Sequence, residues 1–262
     1  MAIQQHTTSP NANNVVRIAL PSKDDFRMDS LVFMDNCGLN VNLEHERKYT
    51  ANVSNLEKVE VLFQRTGVIT QIVEEGTAEF GIVGLDRYLE SRKEGSSNSA
   101  ILIKDLPFSK CELSFAVPKS WLDVDSMYDV WDLSIRFRQE RSLLRIATEY
   151  PRLVQYHLQR NGIRYFTLVP WPGGVESSPT AGHADMIATI RGQGTTLTAN
   201  GLKTISSGTI LTSQACLITN PDTFKKYPQK LALAKPVLQH MDAFLARDQE
   251  SYKTLSGIVY GE

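Results

Sequence analysis

GGVESSPTAGHADMIATIRGQGTTLTANGL, residues 173–202, sets six glycines and five threonines around one apolar run, Ala184-Asp185-Met186-Ile187-Ala188-Thr189-Ile190. The run is short, β-branched in part and bounded by glycine, so it reads as a buried strand. A strand passing straight into Arg191-Gly192-Gln193-Gly194-Thr195-Thr196 can turn backbone N–H groups onto a phosphate. A glycine-rich turn with no ligand shows the same local pattern, so both readings stand at this point.

Outward from that strand, the chain alternates short β-branched runs with helical patterns. Strands are expected at 15–20, 59–64, 79–84, 101–103, 111–117, 144–148, 165–169 and 184–190, with one or two more in 209–219. A helix is expected up to Cys37, stopped by Gly38, and another over Ile69–Glu75, stopped by Gly76. Pro151 suits the first turn of a helix that places Leu153, Val154, His157 and Leu158 along one face and ends at Asn161-Gly162. Residues 90–98 read as a surface loop. Residues 225–252 read as a mainly helical tail interrupted by Pro228 and Pro236. Such alternation argues for α/β layers with parallel strands, whose ligands sit at the carboxyl ends.

Composition narrows the class. The 262 residues carry 28 Lys and Arg against 29 Asp and Glu, a net charge of −1 that offers no nucleic-acid surface. No apolar segment approaches a membrane span, and residues 1–14 are polar and read as a disordered lead-in rather than a signal peptide. Cys37, Cys111 and Cys216 are far apart and odd in number, as expected of reduced thiols in a cytoplasmic protein.

Gly173-Gly174-Val175-Glu176, Pro179, Gly182, Ala184-Asp185 and Gly194-Thr195-Thr196-Leu197 through Asn200-Gly201-Leu202 together resemble the signature of the ATP phosphoribosyltransferase family, which opens histidine biosynthesis. Arg145-Ile146-Ala147-Thr148-Glu149-Tyr150-Pro151-Arg152-Leu153 and Glu75-Gly76 through Phe80-Gly81-Ile82-Val83-Gly84 are similar to two further family segments. Arg17-Ile18-Ala19-Leu20-Pro21 and Cys111-Glu112-Leu113 also fit. The resemblance runs in order from about Val15 to Asn220.

It implies an α/β fold of two lobes with mixed and parallel sheets, like the type II periplasmic binding proteins, with the ligand cleft between lobes. The expected division is a lead-in over 1–14, lobe I over 15–104 with 206–220 returning to it, and lobe II over 105–205. A helical tail over 221–262 leaves no room for a separate regulatory domain. The implied reaction joins a nitrogen of ATP, or of a related heterocycle, to the ribose of phosphoribosyl pyrophosphate and expels pyrophosphate with Mg2+ present. A homo-oligomer is expected, without nucleic acid or membrane as partner.

Residue by residue, Gly192, Gln193, Gly194, Thr195 and Thr196 would hold the 5′-phosphate, while Asp185 and Glu176 would orient the ribose and serve catalysis. Thr189, Arg191, Lys23, Asp24, Asp25, Arg47 and Arg65 complete the expected substrate contacts. No metal ligands are identifiable. The chain departs from the pattern at several of these places. Thr189 stands where the family carries a second acid, and a hydroxyl cannot form the charge-assisted bond of a carboxylate. Ser22-Lys23-Asp24-Asp25 replaces a Lys-Gly-Arg turn, exchanging a glycine and an arginine for two acids that would repel a phosphate. Two rival readings follow from those departures: a paralogue whose rebuilt pocket takes another small molecule, and a non-catalytic partner of an active homologue. His183, inside the signature, and the arginines at 136, 138, 141 and 145 read as packing and as a solvated face.

Overall fold

The computed structural model describes residues 14–45, 48–92, 95, 97–191 and 195–247. In chain order the elements are β1 (Val16–Pro21), α1 (Asp24–Asn36), β2 (Val41–Asn42), β3 (Thr50–Val53), β4 (Val59–Gln64), α2 (Thr66–Glu74), β5 (Phe80–Gly84), α3 (Leu85–Ser91), β6 (Ala100–Ile103) and β7 (Cys111–Pro118). They continue with α4 (Met127–Gln139), β8 (Leu144–Thr148), α5 (Pro151–Arg160), β9 (Phe166–Pro170), β10 (Met186–Arg191), α6 (Thr195–Ala199), β11 (Leu202–Ser213), β12 (Ala215–Thr219), α7 (Pro221–Lys226) and α8 (Pro228–Leu245). A 3-10 turn at Val175–Ser177 lies between β9 and β10.

The chain forms two compact units. The first comprises residues up to Ser109 and again from Ala215 onward, and the second spans Lys110–Gln214. In the first, seven strands lie in the order β2-β3-β4-β1-β5-β12-β6. β1 runs parallel to both β4 and β5, and β12 closes antiparallel onto β5 and β6. Side chains alternate across this sheet as strand geometry requires. Val16, Ile18 and Leu20 pack with Phe33 and Met34 of α1 and with Ala234, Val237, Leu238 and Met241 of α8. Ala19 faces the other way, toward Ile69 and Val73 of α2 and Tyr88 of α3. Each such fully buried side chain contributes about 1.5–3 kcal/mol. Gly81 permits the close seat of α2, since a Cβ there would lie 2.6 Å from Ile69 Cγ2.

One buried ion pair fastens α8 to this unit. Lys230 Nζ donates to Glu79 Oε1 at 2.6 Å, and the Arg17 amide donates to Glu79 Oε2 at 2.7 Å. The two side chains are 4% and 0% exposed, so neither has water to fall back on. Pro228 opens α8, and Pro236 lies inside it without ending it. Ala232, whose carbonyl would have received the missing N–H, is exposed, so water can take that place.

The second unit has five strands in the order β11-β7-β10-β8-β9. β8 is parallel to β9 and β10, while β7 is antiparallel to β10 and β11. Leu113, Phe115 and Val117 of β7 pack with Val130 of α4 and with Val154 and Leu158 of α5. The opposite face carries Ala116, Ala147, Ile187, Val175, Leu197 and Leu202.

The expected return to the first unit at residue 206 is corrected here. β11 pairs with β7 over Leu202–Thr204 and, after a register shift, again over Thr209–Ser213, so the return falls at Ala215. The strands β2 and β3, the helix α3 where part of a surface loop was expected, and α4 are additions to the sequence reading. The lead-in falls outside the described residues except for Asn14, as does the tail after Arg247. Among the described residues no helix is long and apolar enough to cross a membrane.

Candidate functional site

In the first unit, β1 and β4 run side by side to Pro21 and Gln64, and the Ser22 amide donates to the Gln64 carbonyl at 2.9 Å. Beyond these carboxyl ends lies a cavity of about 620 Å³ lined by Ser22, Lys23, Arg27, Lys48, Tyr49, Phe63, Gln64, Arg65 and Val68. Among the described residues, four cations and no carboxylate line it. Lys23 and Arg65 are the N-cap residues of α1 and α2, and neither helix has a side-chain cap. Both helix starts therefore keep free N–H groups and the positive end of the dipole at the cavity. Nothing lies within 4 Å of a Cβ placed on Gly67 in the first turn of α2, so a ligand can approach that backbone. Arg27 is held over the Phe63 ring at 5.0 Å from its centroid, which fixes its guanidinium without neutralising it. Among the described residues, Lys48 is the one lining cation paired with a carboxylate, that of Glu44.

Lys23 and Arg65 were expected from the sequence and line this cavity. Asp24 and Asp25 were also expected to contact substrate, and they do not line it. They occupy the exposed first turn of α1, where acids complement the helix dipole. Asp24 has φ at 62°, the left-handed region that favours glycine. Arg47 lies outside the described residues. Arg27, Lys48, Tyr49 and Phe63 were not anticipated, although Arg27 sits one helical turn after Lys23.

In the second unit the expected residues separate into two ends of β10. At the carboxyl end, Thr189 Oγ1 donates to Glu176 Oε1 at 3.4 Å, which brings Glu176 from its 3-10 turn onto the strand. Beside it, Glu149 Oε1 accepts from the Gly173 amide at 2.7 Å, with Gly173 at φ 84°. Arg191 is paired with Glu112 of β7 through Nε at 3.0 Å and Nη2 at 2.6 Å, so its charge is matched within the sheet. Gly192, Gln193 and Gly194 lie outside the described residues. Thr195 and Thr196 open α6, and their side chains are also outside the description.

Asp185 sits at the other, amino-terminal end of β10. Arg145 grips it with Nε at 3.2 Å, Nη2 at 2.8 Å and the backbone amide at 2.8 Å, while Nη1 reaches the Gly182 carbonyl at 2.7 Å. The hydrogen bond to Asp185 raises the guanidinium's affinity for its proton. The carboxylate thus clasps β8 to β10, at the strand end opposite to that where ligands bind in parallel sheets. The remaining arginines of that stretch form no cluster: Arg136 pairs with Asp132, and Arg138 lies over Tyr165. His183 packs on Trp171, ring to ring, at 5.1 Å.

The other chemistry-bearing residues are quiet. Cys37 and Cys216 are buried, and burial pushes both thiols up to about 12, far from nucleophilic use. His157 is pressed against Phe115 with Nε2 unpartnered, and burial lowers its proton affinity. No group of three His, Cys, Asp or Glu side chains placed to hold a metal occurs among the described residues.

Two α/β units, each built on a mixed sheet, make up the fold. The periplasmic aliphatic sulphonate binding protein of Escherichia coli shares that fold with a TM-score of 0.53 at 12% identity, over 95% of this chain and 75% of that one. A chain of the ATP phosphoribosyltransferase (HisG:HisZ) complex from Thermotoga maritima superposes with a TM-score of 0.66 at 21% identity, covering 89% of this chain and 100% of that one. The family model described as ATP phosphoribosyltransferase matches residues 65–242. The ATP phosphoribosyltransferase of Mesorhizobium japonicum is 37% identical over 209 residues, 79% of this chain and 90% of the relative. The chain belongs to the ATP phosphoribosyltransferase family.

Proposed function

We propose that this chain transfers the phosphoribosyl group of phosphoribosyl pyrophosphate to a ring nitrogen of ATP and releases pyrophosphate. The observation that carries the reading is the cavity at the ends of β1 and β4, where Lys23, Arg27, Lys48 and Arg65 converge with two uncapped helix starts. Such a surface suits a polyphosphate, and it leaves little to recommend a cationic ligand.

In the reaction the lone pair of the ring nitrogen forms a C–N bond at the anomeric carbon. The C–O bond to the diphosphate breaks and its electron pair leaves with the diphosphate. Positive charge grows on the sugar and negative charge on the leaving group, so fixed cations aimed at the diphosphate lower the barrier. Within the first unit, Lys23, Arg27, Lys48 and Arg65 are the cations suited to a polyphosphate. In the second unit, Glu176 and Thr189 are assigned to the ribose hydroxyls. The loop Gly192–Gly194 with Thr195 and Thr196 is assigned to the 5′-phosphate on its sequence. Arg191, matched by Glu112, steadies the strand that leads into that loop.

Magnesium does not fit as a resident ion of the described residues. Asp185 is held by Arg145, Glu112 by Arg191, and Glu149 accepts from Gly173, which leaves Glu176 without two further ligands. Mg2+ keeps much of its water and binds readily through phosphates, so we assign it to the diphosphate as part of the substrate. The free, buried thiols of Cys37 and Cys216 suit a reducing, cytosolic compartment. Met28 and Val32, 57% and 55% exposed and one turn apart on α1, suit self-association.

The test is pyrophosphate release by the purified chain supplied with ATP, phosphoribosyl pyrophosphate and Mg2+. Release is expected only with both substrates present, in step with ATP consumption. Absence of release with both, from protein that melts cooperatively, would remove the transferase reading.

A further inference from the structure

We infer that Ser114 is a positioning residue for Thr189 and Glu176, and that the three groups together read the vicinal diol of a pentose phosphate. The inference rests on the phosphoribosyl reading above. Ser114 of β7 is the register partner of Thr189 of β10. Partners in register share a sheet face, and the neighbours say which one. Leu113 and Phe115 point to the face covered by α4 and α5, whereas Ala116 packs with Val175, next to Glu176. Ser114 therefore lies on the Glu176 side, beside Thr189.

Its hydroxyl is anomalous. Ser114 is 2% exposed and its Oγ has no hydrogen-bond partner, while the Thr189 bond to Glu176 is long at 3.4 Å. A buried hydroxyl left unpaired is costly, and hydrogen-bonded Ser and Thr pairs across neighbouring strands are a common remedy. A ligand resolves both defects at once. One sugar hydroxyl donates to Glu176 and displaces Thr189 from it. The Thr189 proton then turns to Ser114 Oγ, and a Thr189 lone pair accepts the second sugar hydroxyl. With Glu176 taken by the sugar, the Thr189 proton needs a new acceptor, and Ser114 is the one its register supplies.

The test is calorimetric titration of the full chain with ribose 5-phosphate and with 2-deoxyribose 5-phosphate. The native chain is expected to prefer the ribose form. Ser114→Ala should bind the ribose form about five-fold more weakly and leave the deoxy form unchanged, with Ser114→Thr restoring the preference. Thr189→Val should show the same loss, and the double variant no more than either single one, because the two hydroxyls act as one unit. Equal affinity of Ser114→Ala and native protein for the ribose form overturns the inference, as does an equal loss for both sugars. Should Ser114→Ala not fold, unchanged ribose binding by Thr189→Val overturns it instead. If the native chain binds neither sugar phosphate, it is the phosphoribosyl reading itself that falls.

Discussion

The two units use the cations of their parallel strands in opposite ways. At the ends of β1 and β4, Lys23, Arg27 and Arg65 face a cavity lined, among the described residues, by no carboxylate. In the second unit the arginines of β8 and β10 are each answered inside the sheet, Arg145 by Asp185 and Arg191 by Glu112. Charge that is already answered holds strands in register. Charge that is left over has a ligand to wait for. Asp185, although part of the most recognisable sequence signature, is paired with Arg145, while Lys23, in the least typical stretch, lines the cavity.

If answered charges are structural, removing one should cost stability and not turnover. The largest effect is expected for Lys230→Met, which leaves Glu79 charged and buried and should lower stability by about 3–5 kcal/mol in thermal or denaturant unfolding. Adding Glu79→Leu should recover most of the loss, since no unpaired charge then remains. Arg65→Ala should do the reverse, weakening phosphoribosyl pyrophosphate roughly ten-fold or more in steady-state kinetics while leaving the unfolding midpoint near native. Asp185→Asn sharpens the contrast: a loss of about 1–3 kcal/mol of stability is expected with kcat nearly unchanged, and a thousand-fold fall in kcat in a fully folded variant would return Asp185 to the chemistry. Asp24→Gly should raise stability by about 1 kcal/mol by relieving the left-handed backbone, read as a higher melting temperature.

The smallest effect compares two buried polar groups. Lys230 has its partner, and His157 Nε2 has none. Burial lowers the proton affinity of His157 below its ordinary value of 6.5, so the unfolded chain takes up the proton first as pH falls. The stability associated with neutral His157 is complete above about pH 6.5 and is lost as pH falls through its lower native value. His157→Leu should flatten that part of the stability profile, read from unfolding midpoints between pH 7 and pH 5.

Much of this architecture was legible in the sequence because the strands are short β-branched runs with sharp punctuation. Val59–Gln64 and Leu144–Thr148 were placed to the residue, and Pro151 and Gly162 bracket α5. The helix α4 escaped because its apolar residues are interleaved with Asp132, Arg136 and Arg138. Its capping box, with Ser126 and Asp129 bonded to each other's backbone amides, was the available signal. The strands β2 and β3 are too short to show a period. At the site, Lys23, Arg65, Glu176 and Thr189 were legible as a pattern, but a carboxylate in a pattern does not say what it touches. Asp185 needed Arg145, forty residues away, to be understood. Ser114 carried no sequence signal beyond its place in a strand, since its missing partner exists only once β7 lies beside β10.

The most direct test of the central claim, that the cavity at β1 and β4 receives a polyphosphate, is calorimetric titration of the native chain and of Lys23→Ala with phosphoribosyl pyrophosphate and Mg2+. Micromolar binding by the native chain, weakened about ten-fold in Lys23→Ala and falling with added salt, is the predicted result. Binding that is equally tight in both proteins and insensitive to salt would contradict the account.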